Sequence, residues 1–232
     1  MNELNHASPR VAALVPMKGH SERVPRKNLR LLHGRPLYHW IMRALQAAKN
    51  VTAIVVETDS DEIAEDVATN FGVQTLRRPL ELVGDEVPMN DLIAYHIEAV
   101  KSDVYIQTHA TNPLLSSATI DAALNQFMAV RKTNDSLFSV TGIQTRFYRE
   151  DGSPVNHNPD ELLPTQQLPV LYEENSNLYV FTRESFENNH NRRIGRRPYM
   201  FEIDKLEAVD IDNKNDFSLA EALIIHRASV DQ

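Results

Sequence analysis

The chain has 232 residues, a formal net charge of -8 and no cysteine. That length suits one domain spanning residues 1–232, and the missing thiols exclude disulfides, thiolate metal sites and a cysteine nucleophile. The acidic balance argues against a nucleic-acid partner, because affinity for a duplex comes largely from neutralising its phosphates. No apolar run reaches membrane-spanning length and residues 1–10 lack the apolar core of a signal peptide, so we expect a cytoplasmic protein without a membrane partner.

The first predicted strand opens into a cationic loop. Residues 11–16 form an apolar run of strand length, residues 17–28 are rich in cations, and a helix-like segment begins at Pro36. Backbone N–H groups near a turn and a helix start, together with cationic side chains, make a favourable site for a phosphate chain. A solvated basic surface loop is the alternative. The side chains in question are those of Lys18, Ser21, Arg23, Arg26, Lys27 and Asn28.

Helices and strands then alternate as far as residue 140. Apolar residues at helical spacing and β-branched runs distinguish the two kinds of element. Ser60 or Asp61 can cap the second helix, and Gly72 can close it. The patterns predict helices over 36–45, 62–70, 88–100 and 117–130, and strands over 51–56, 73–76, 104–107 and 136–140.

This alternation predicts an α/β sandwich with parallel strands joined by right-handed crossovers. In open sheets of this kind, ligands bind beyond the carboxyl ends of the strands. The loop at 17–28, Asp59, Arg78 and the polar segment 108–112 all follow predicted strands. We therefore expect these four regions to converge on one site.

The alternation breaks over residues 144–198, which are rich in Asn, Pro and Arg. Residues 171–181 are apolar enough to return a strand to the main sheet. The remainder is interpreted as an excursion that acts as a lid or a dimer arm, with a plain surface loop as the alternative. Its arginines are Arg146, Arg149, Arg192, Arg193, Arg196 and Arg197.

Two carboxylates lie close together near the end of the chain. Asp210 and Asp212 project to the same face if the segment is extended, because side chains alternate along a strand. Their repulsion is tolerated where a divalent cation supplies the missing charge, and Mg²⁺ typically takes one or two carboxylates plus substrate phosphates. The alternative is a solvated strand end at which Asp212 or Asn213 only caps the next helix.

Taken in order along the chain, these motifs resemble the acylneuraminate cytidylyltransferases, also called CMP-sialic acid synthetases, and their relatives that activate other keto-sugar acids. No single motif is decisive, but their order and spacing together support the resemblance. The similar segments are 15–19 with Ser21, 25–28, 34–37, 55–59 with 62–64, 78–79 with 81–82 and Asp85, 111–114, Tyr172 with Asn175 and Tyr179, and 210–212 with 216–217.

The resemblance implies a Rossmann-like three-layer sandwich of the nucleotide-diphospho-sugar transferase type, with a mostly parallel sheet. It implies transfer of CMP from CTP to a 2-keto-3-deoxy sugar acid, with release of pyrophosphate. It also implies a homodimer in which the 144–198 arm completes the partner's site. The candidate catalytic residues are Lys18, Lys27, Asp210 and Asp212, together with His109, which is added from the sequence itself because the family usually has another residue there; the candidate nucleotide-binding residues are Lys18, Gly19, Ser21, Arg23, Lys27, Asn28 and Arg78, and Mg²⁺ is expected on Asp210 and Asp212.

The chain departs from the family pattern at several positions. Lys18 stands where the family usually has Arg, Glu22 where it has Lys, His109 where many members have Gln, and Leu115 where many have Arg. Met89 falls near a position that often carries a small hydroxyl residue. The changes at 109 and 115 predict a substrate other than ordinary N-acetylneuraminate. His109 is a candidate general base, with a hydrogen-bonding or packing role as the alternative.

Two other functions remain open at this point. One is a nucleotidyltransferase or glycosyltransferase that uses another nucleotide or sugar, although the first loop lacks the Gly-rich run typical of the sugar-1-phosphate enzymes. The other is a non-catalytic relative that only binds nucleotide, which Glu22 and the replaced Arg would favour.

Overall fold

The computed structural model describes residues 8–21 and 24–230, so Glu22 and Arg23 lie outside the described residues. Elements alternate through the first part of the chain. Their order is β1 (Val11–Met17), β2 (Leu31–Leu32), β3 (Arg35–Pro36), α1 (Tyr38–Ala47), β4 (Ala53–Thr58), α2 (Asp61–Phe71), β5 (Thr75–Arg77), α3 (Met89–Ala99), β6 (Val104–Thr108) and α4 (Ser117–Val130). The second part contains β7 (Ser136–Ile143), β8 (Leu171–Phe181), α5 (Arg183–Asn188), β9 (Pro198–Glu202) and α6 (Lys214–Val230).

Seven strands form the main sheet, in the order β5-β4-β1-β6-β8-β7-β9. All neighbouring strands pair in parallel except β8, which runs antiparallel to both β6 and β7. Every residue of β1 is buried, as expected for a central parallel strand covered on both faces. The mostly parallel α/β sheet predicted from the sequence is confirmed.

Helices cover both faces of this sheet and produce three layers. Val11, Ala13 and Val15 of β1 share one apolar core with residues of α1, α2 and α4. Ala12 and Leu14 face the opposite core, which contains residues of α3 and α5. The alternation of β1 side chains between two cores follows from the period of two along a strand.

Local sequence signals set the ends of α2. The Ser60 hydroxyl accepts a hydrogen bond from the Ile63 N–H at 3.3 Å, which makes Ser60 the N-cap rather than Asp61. Gly72 ends the helix at φ 65°, a left-handed conformation that favours glycine. Both signals were visible in the sequence, because capping depends on residues only a few positions apart.

Residues after β8 rejoin the sheet more fully than predicted. The expected strand at 171–181 is confirmed, but α5 and the edge strand β9 were not predicted. Phe186 of α5 is buried in the core beside α3, and β9 pairs in parallel with β7. The segment that leaves the sheet altogether is therefore 144–170. Because β9 has one neighbour and begins at Pro198, it tolerates a proline that a central strand would exclude.

No helix in the described part of the chain is both long enough and apolar enough to cross a membrane.

Candidate active site

An open cleft of about 460 Å³ lies at the carboxyl edge of the sheet. Lys18 follows β1, Arg78 follows β5 and His109 follows β6, so each comes directly after a strand. The segment before α6 brings Asp210 and Asp212 to the same cleft. The predicted site residues that line it are Lys18, Ser21, Lys27, Asn28, Arg78, His109, Asp210 and Asp212.

Gly19, unlike these residues, does not line the cleft. Its N–H donates to Asp59 Oδ1 at 2.7 Å, and a Cβ built on it would lie 2.7 Å from Ser60 Cβ. Only glycine allows the loop to pack this closely against the start of α2. Gly19 thus shapes the loop, and Asp59 orients its N–H.

Two contacts fix the start of the cationic loop. Lys18 forms an ion pair with Asp85, which reaches the cleft from the segment before α3. Asn28 Nδ2 donates to the Lys18 carbonyl oxygen at 2.8 Å. These contacts hold the Lys18 side chain at the cleft edge. Asp85 belongs to a family-like segment but was not predicted as a site residue.

Lys27 connects the loop to the carboxylate segment. Its Nζ donates to the Ile211 carbonyl oxygen at 2.6 Å and lies 3.6 Å from Asp212 Oδ1. The Lys27 side chain is only 12% exposed, whereas that of Asp212 is 45% exposed. The lysine charge is thus enclosed, while the Asp212 carboxylate remains accessible from the cleft.

The Asp210 carboxyl is enclosed and unfavourably placed for a negative charge. Burial raises its pKa above the ordinary value, and the nearby Asp212 carboxylate raises it further. Asn112 Nδ2 lies 3.4 Å from Asp210 Oδ1. A bound cation would relieve this cost, so the two carboxylates fit a divalent metal such as Mg²⁺. No cluster of three or more candidate ligands occurs among the described residues.

The side chains of Asp210 and Asp212 do not cap α6. The Asn213 side chain accepts from the Asp216 N–H at 3.2 Å, and the Asp216 side chain accepts from the N–H groups of Asp212 and Asn213, each at 2.9 Å. Asn213 is therefore the capping residue, as one alternative expected. The side chains of Asp210 and Asp212 are turned to the cleft instead.

His109 is held in its neutral form. Its Nε2 is buried and has no hydrogen-bond partner among the described residues. Burial lowers the pKa of His109 to about 3, and the positive charges of Arg193 and Lys27 act in the same direction. The imidazole can exchange hydrogen bonds with a ligand, but it is a weak base.

Several expected residues lie away from the cleft. Leu115 is buried in the core with residues of α1 and α4 and does not line the cleft. Arg196 and Arg197 donate backbone N–H groups to Asp135. Arg193 is close enough for its positive charge to act on His109, and its guanidinium lies 3.7 Å from the centre of the Tyr179 ring.

A second cavity of about 560 Å³ adjoins the carboxylate pair. Asp210 and Asp212 line both cavities, so the pair stands between them. Glu173, Asn175 and Lys205 contribute polar groups to the second cavity. The arrangement provides separate spaces for two ligands that meet at the carboxylates.

Sequence reasoning missed a buried group beneath the cleft. Glu57 of β4 is fully buried and forms an ion pair with Arg78, and His96 of α3 lies beside it. A carboxylate near the end of an otherwise apolar strand was the only available signal.

A mostly parallel α/β sheet with a cationic loop after its first strand and paired carboxylates across the cleft defines a Rossmann-like α/β protein with a ligand site at the carboxyl edge of the sheet. Solved structures support this class at the level of the fold. A CMP:2-keto-3-deoxy-manno-octonic acid synthetase complexed with CTP matches with a TM-score of 0.71 at 14% identity, covering 94% of this chain and 99% of that one. A 4-diphosphocytidyl-2C-methyl-D-erythritol synthase from Anaerococcus prevotii matches with a TM-score of 0.67 at 12% identity, covering 94% and 97%.

The sequence profile of the family described as cytidylyltransferase matches residues 12–231. The chain therefore belongs to the cytidylyltransferase family, as its motifs predicted.

Named proteins of similar sequence are consistent with membership of the cytidylyltransferase family. An N-acylneuraminate cytidylyltransferase of Oncorhynchus mykiss is 30% identical over 93% of this chain, which spans only 50% of that protein's length. A CMP-N,N'-diacetyllegionaminic acid synthase of Legionella pneumophila is 29% identical, covering 93% of this chain and 96% of the relative. A post-translational flagellin modification protein B of Campylobacter coli is 28% identical, covering 89% and 92%. The chain thus has nearly the length of the bacterial relatives and about half that of the fish protein.

Proposed function

We propose that this protein transfers CMP from CTP to the anomeric hydroxyl of a 2-keto-3-deoxy sugar acid of the sialic-acid-like, nonulosonate type. The observation that carries the proposal is the meeting of the Lys18 and Lys27 loop with Asp210 and Asp212 in one cleft. Membership of the cytidylyltransferase family supports CTP as the nucleotide, and the names of the relatives support a sialic-acid-like acid as the acceptor.

The cationic loop serves the triphosphate. Lys18, Lys27 and the Ser21 hydroxyl line the cleft, where they neutralise and orient the phosphates. The anomeric hydroxyl oxygen attacks the α-phosphorus in line and loses its proton to water, while the bond to the bridging oxygen breaks and pyrophosphate leaves with the electron pair. The protein contributes mainly positioning and charge. Lys18 provides a point charge instead of the bidentate fork of an arginine, so its ion pair with Asp85 takes over part of the orientation.

Asp210 and Asp212 are the residues that would hold Mg²⁺. When bound, the metal supplies positive charge to the reacting phosphate and to the leaving group. Lys27, whose Nζ lies 3.6 Å from Asp212 Oδ1, helps to orient that carboxylate toward the cleft.

His109 contacts the acceptor sugar by hydrogen bonding rather than by taking its proton. The support is its buried Nε2 and a pKa lowered to about 3, which leaves a neutral and weakly basic ring at physiological pH. Because His109 lines the cleft and departs from the family pattern, an acid other than N-acetylneuraminate fits best.

The test is pyrophosphate release with CTP, Mg²⁺ and a panel of keto-sugar acids, beside isothermal titration of CTP. We expect turnover with CTP and one nonulosonate. A preference for UTP or GTP would contradict the nucleotide assignment. Tight CTP binding without turnover on any acid would support the non-catalytic alternative.

A homodimer through the 144–170 segment belongs to the same proposal. This segment and the start of β8 expose large apolar side chains, which soluble monomers generally bury or scatter. They are Tyr148, Val155, Leu162, Leu163, Val170 and Tyr172.

A further inference from the structure

A buried ion pair lies beneath the nucleotide side of the cleft. Arg78 lines the cleft although its side chain is almost inaccessible to solvent, and Glu57 below it is fully buried. Arg78 Nε donates to Glu57 Oε1, and Arg78 Nη2 donates to Glu57 Oε2 at 2.9 Å. The carboxylate thus binds one complete edge of the guanidinium plane, in the bidentate geometry that fixes orientation most strongly.

Neighbouring strands complete the enclosure of Arg78. Its backbone N–H donates to the Thr58 carbonyl oxygen at 3.0 Å, which extends the pairing of β5 with β4. Its Nη2 lies 3.4 Å from the carbonyl oxygen of Met17, the last residue of β1 before the cationic loop. The guanidinium is therefore fixed relative to both β4 and the start of that loop.

The carboxylate of Glu57 stays charged in this environment. Burial alone would raise its pKa, but His96, whose Nε2 lies 3.4 Å from Glu57 Oε2, and Arg78 together hold the pKa below its ordinary value. Protonation of Glu57 therefore does not release Arg78 near neutral pH.

Stability alone gives little reason for such a pair. Buried ion pairs are on average no more stabilising than well-packed apolar residues of similar volume, because both ions lose their hydration. A pair whose arginine reaches a ligand cleft has a second use, since Arg offers several N–H donors in a fixed fork. With one edge bound to Glu57, the Nη1 donors, which have no hydrogen-bond partner among residues 8–21 and 24–230, are fixed in one orientation.

We propose that Glu57 is a positioning residue for nucleotide binding, which holds Arg78 so that its other edge meets CTP. This inference rests on the proposed function, because it takes CTP as the ligand. Glu57 does not touch the nucleotide itself. Its effect on affinity passes entirely through Arg78.

The test measures the dissociation constant of CTP with Mg²⁺ by isothermal titration. We expect Glu57→Gln to weaken binding by about 10- to 100-fold, the range typical for loss of a charged hydrogen bond. Glu57→Asp keeps the charge but withdraws the carboxylate by one methylene, so we expect weaker binding here too. Asp61→Asn is the matched control, because Asp61 forms an ion pair at the exposed surface with Arg77, the residue next to Arg78. The CTP affinity of this variant should equal that of the wild type.

A double-mutant cycle separates positioning from general destabilisation. Once Arg78→Gln is present, adding Glu57→Gln should cause no further loss of CTP affinity. The double variant leaves no unpaired buried charge, so it and Glu57→Asp remain informative if Glu57→Gln alone does not fold. Additive losses, or unchanged affinity in folded Glu57→Asp, would overturn the role of Glu57. Wild-type protein that binds no CTP would instead overturn the proposed function.

Discussion

Burial acts on two residues of the cleft in opposite directions. It lowers the pKa of His109 and raises that of Asp210, because in both cases it disfavours the charged form. The neutral imidazole needs no partner charge. An ionised Asp210 carboxylate does need a partner of positive charge, and the Asp212 carboxylate beside it increases that need.

Asp210→Asn is expected to lower turnover by at least about 100-fold, because it removes half of the proposed metal site. Stability should not fall. The folded-state pKa of Asp210 is raised, so ionisation of this group weakens the folded state as pH rises, and the neutral amide avoids that cost. Steady-state pyrophosphate release and thermal melting without Mg²⁺ measure the two effects. Asp204→Asn is the control, because Asp204 is an exposed carboxylate earlier in the same segment, and it should retain full activity. Undiminished turnover of Asp210→Asn would show that Asp210 and Asp212 have only a structural role.

His109→Gln is expected to keep turnover within about tenfold of wild type, because glutamine can replace a neutral imidazole in a hydrogen bond. The pH dependence of kcat/KM between about pH 5 and 8 should be the same in both proteins. His109→Leu, which removes the hydrogen bond, should lose more activity than the glutamine variant. A limb of the pH profile that disappears in His109→Gln would identify the histidine as the general base instead.

At the scale of elements, a polar cluster joins α1 to α2. Asp66 of α2 accepts hydrogen bonds from the Tyr38 hydroxyl and from His39 Nε2, the latter at 2.6 Å. Burial alone would raise the pKa of Asp66, but these hydrogen bonds outweigh it and hold the pKa below its ordinary value. Tyr38 and His39 are both buried, so the cluster fixes how the two helices pack.

Asp66→Ala should reduce the free energy of unfolding by about 1–3 kcal/mol for each buried partner left without an acceptor. Urea denaturation measures this loss, and CTP turnover of the folded variant should be unchanged because the cluster does not line the cleft. Since the folded pKa of Asp66 is lowered, its stabilisation is complete above about pH 4 and disappears as the pH falls further. Glu65→Ala, at an exposed position of the same helix, should cost little. An equal loss in both variants would show that the cluster contributes nothing specific.

At the scale of the whole molecule, the 144–170 segment leaves the sheet and exposes apolar side chains. Leu162 is 92% exposed, which is unfavourable for an isolated chain in water. An interface with a second copy would bury this segment and the start of β8, which lies next to the second cavity.

Leu162→Asp is expected to shift the protein from dimer to monomer in light scattering, because a charge in an apolar interface is costly to desolvate. If the arm completes the partner's site, turnover should fall as the dimer dissociates. Leu80→Asp is the matched control, since Leu80 is 89% exposed but lies outside the segment. A wild-type protein that is monomeric at all concentrations would refute the dimer.

The sequence by itself determined the alternation of elements, the caps of α2, the cationic loop and the pairing of Asp210 with Asp212. Each of these depends on residues a few positions apart, through side-chain periodicity or capping. Only the tertiary structure decided that Lys18 meets Asp85, that Leu115 lies in the core, that His109 is neutral and that β9 joins the sheet edge.

The ion pair of Glu57 with Arg78 is the clearest case of the second kind. The two residues belong to neighbouring strands, and their meeting depends on the register between β4 and β5 and on the packing of α3. A single sequence does not display that register, because side-chain burial and long-range contacts are set when the sheet and its helices pack together.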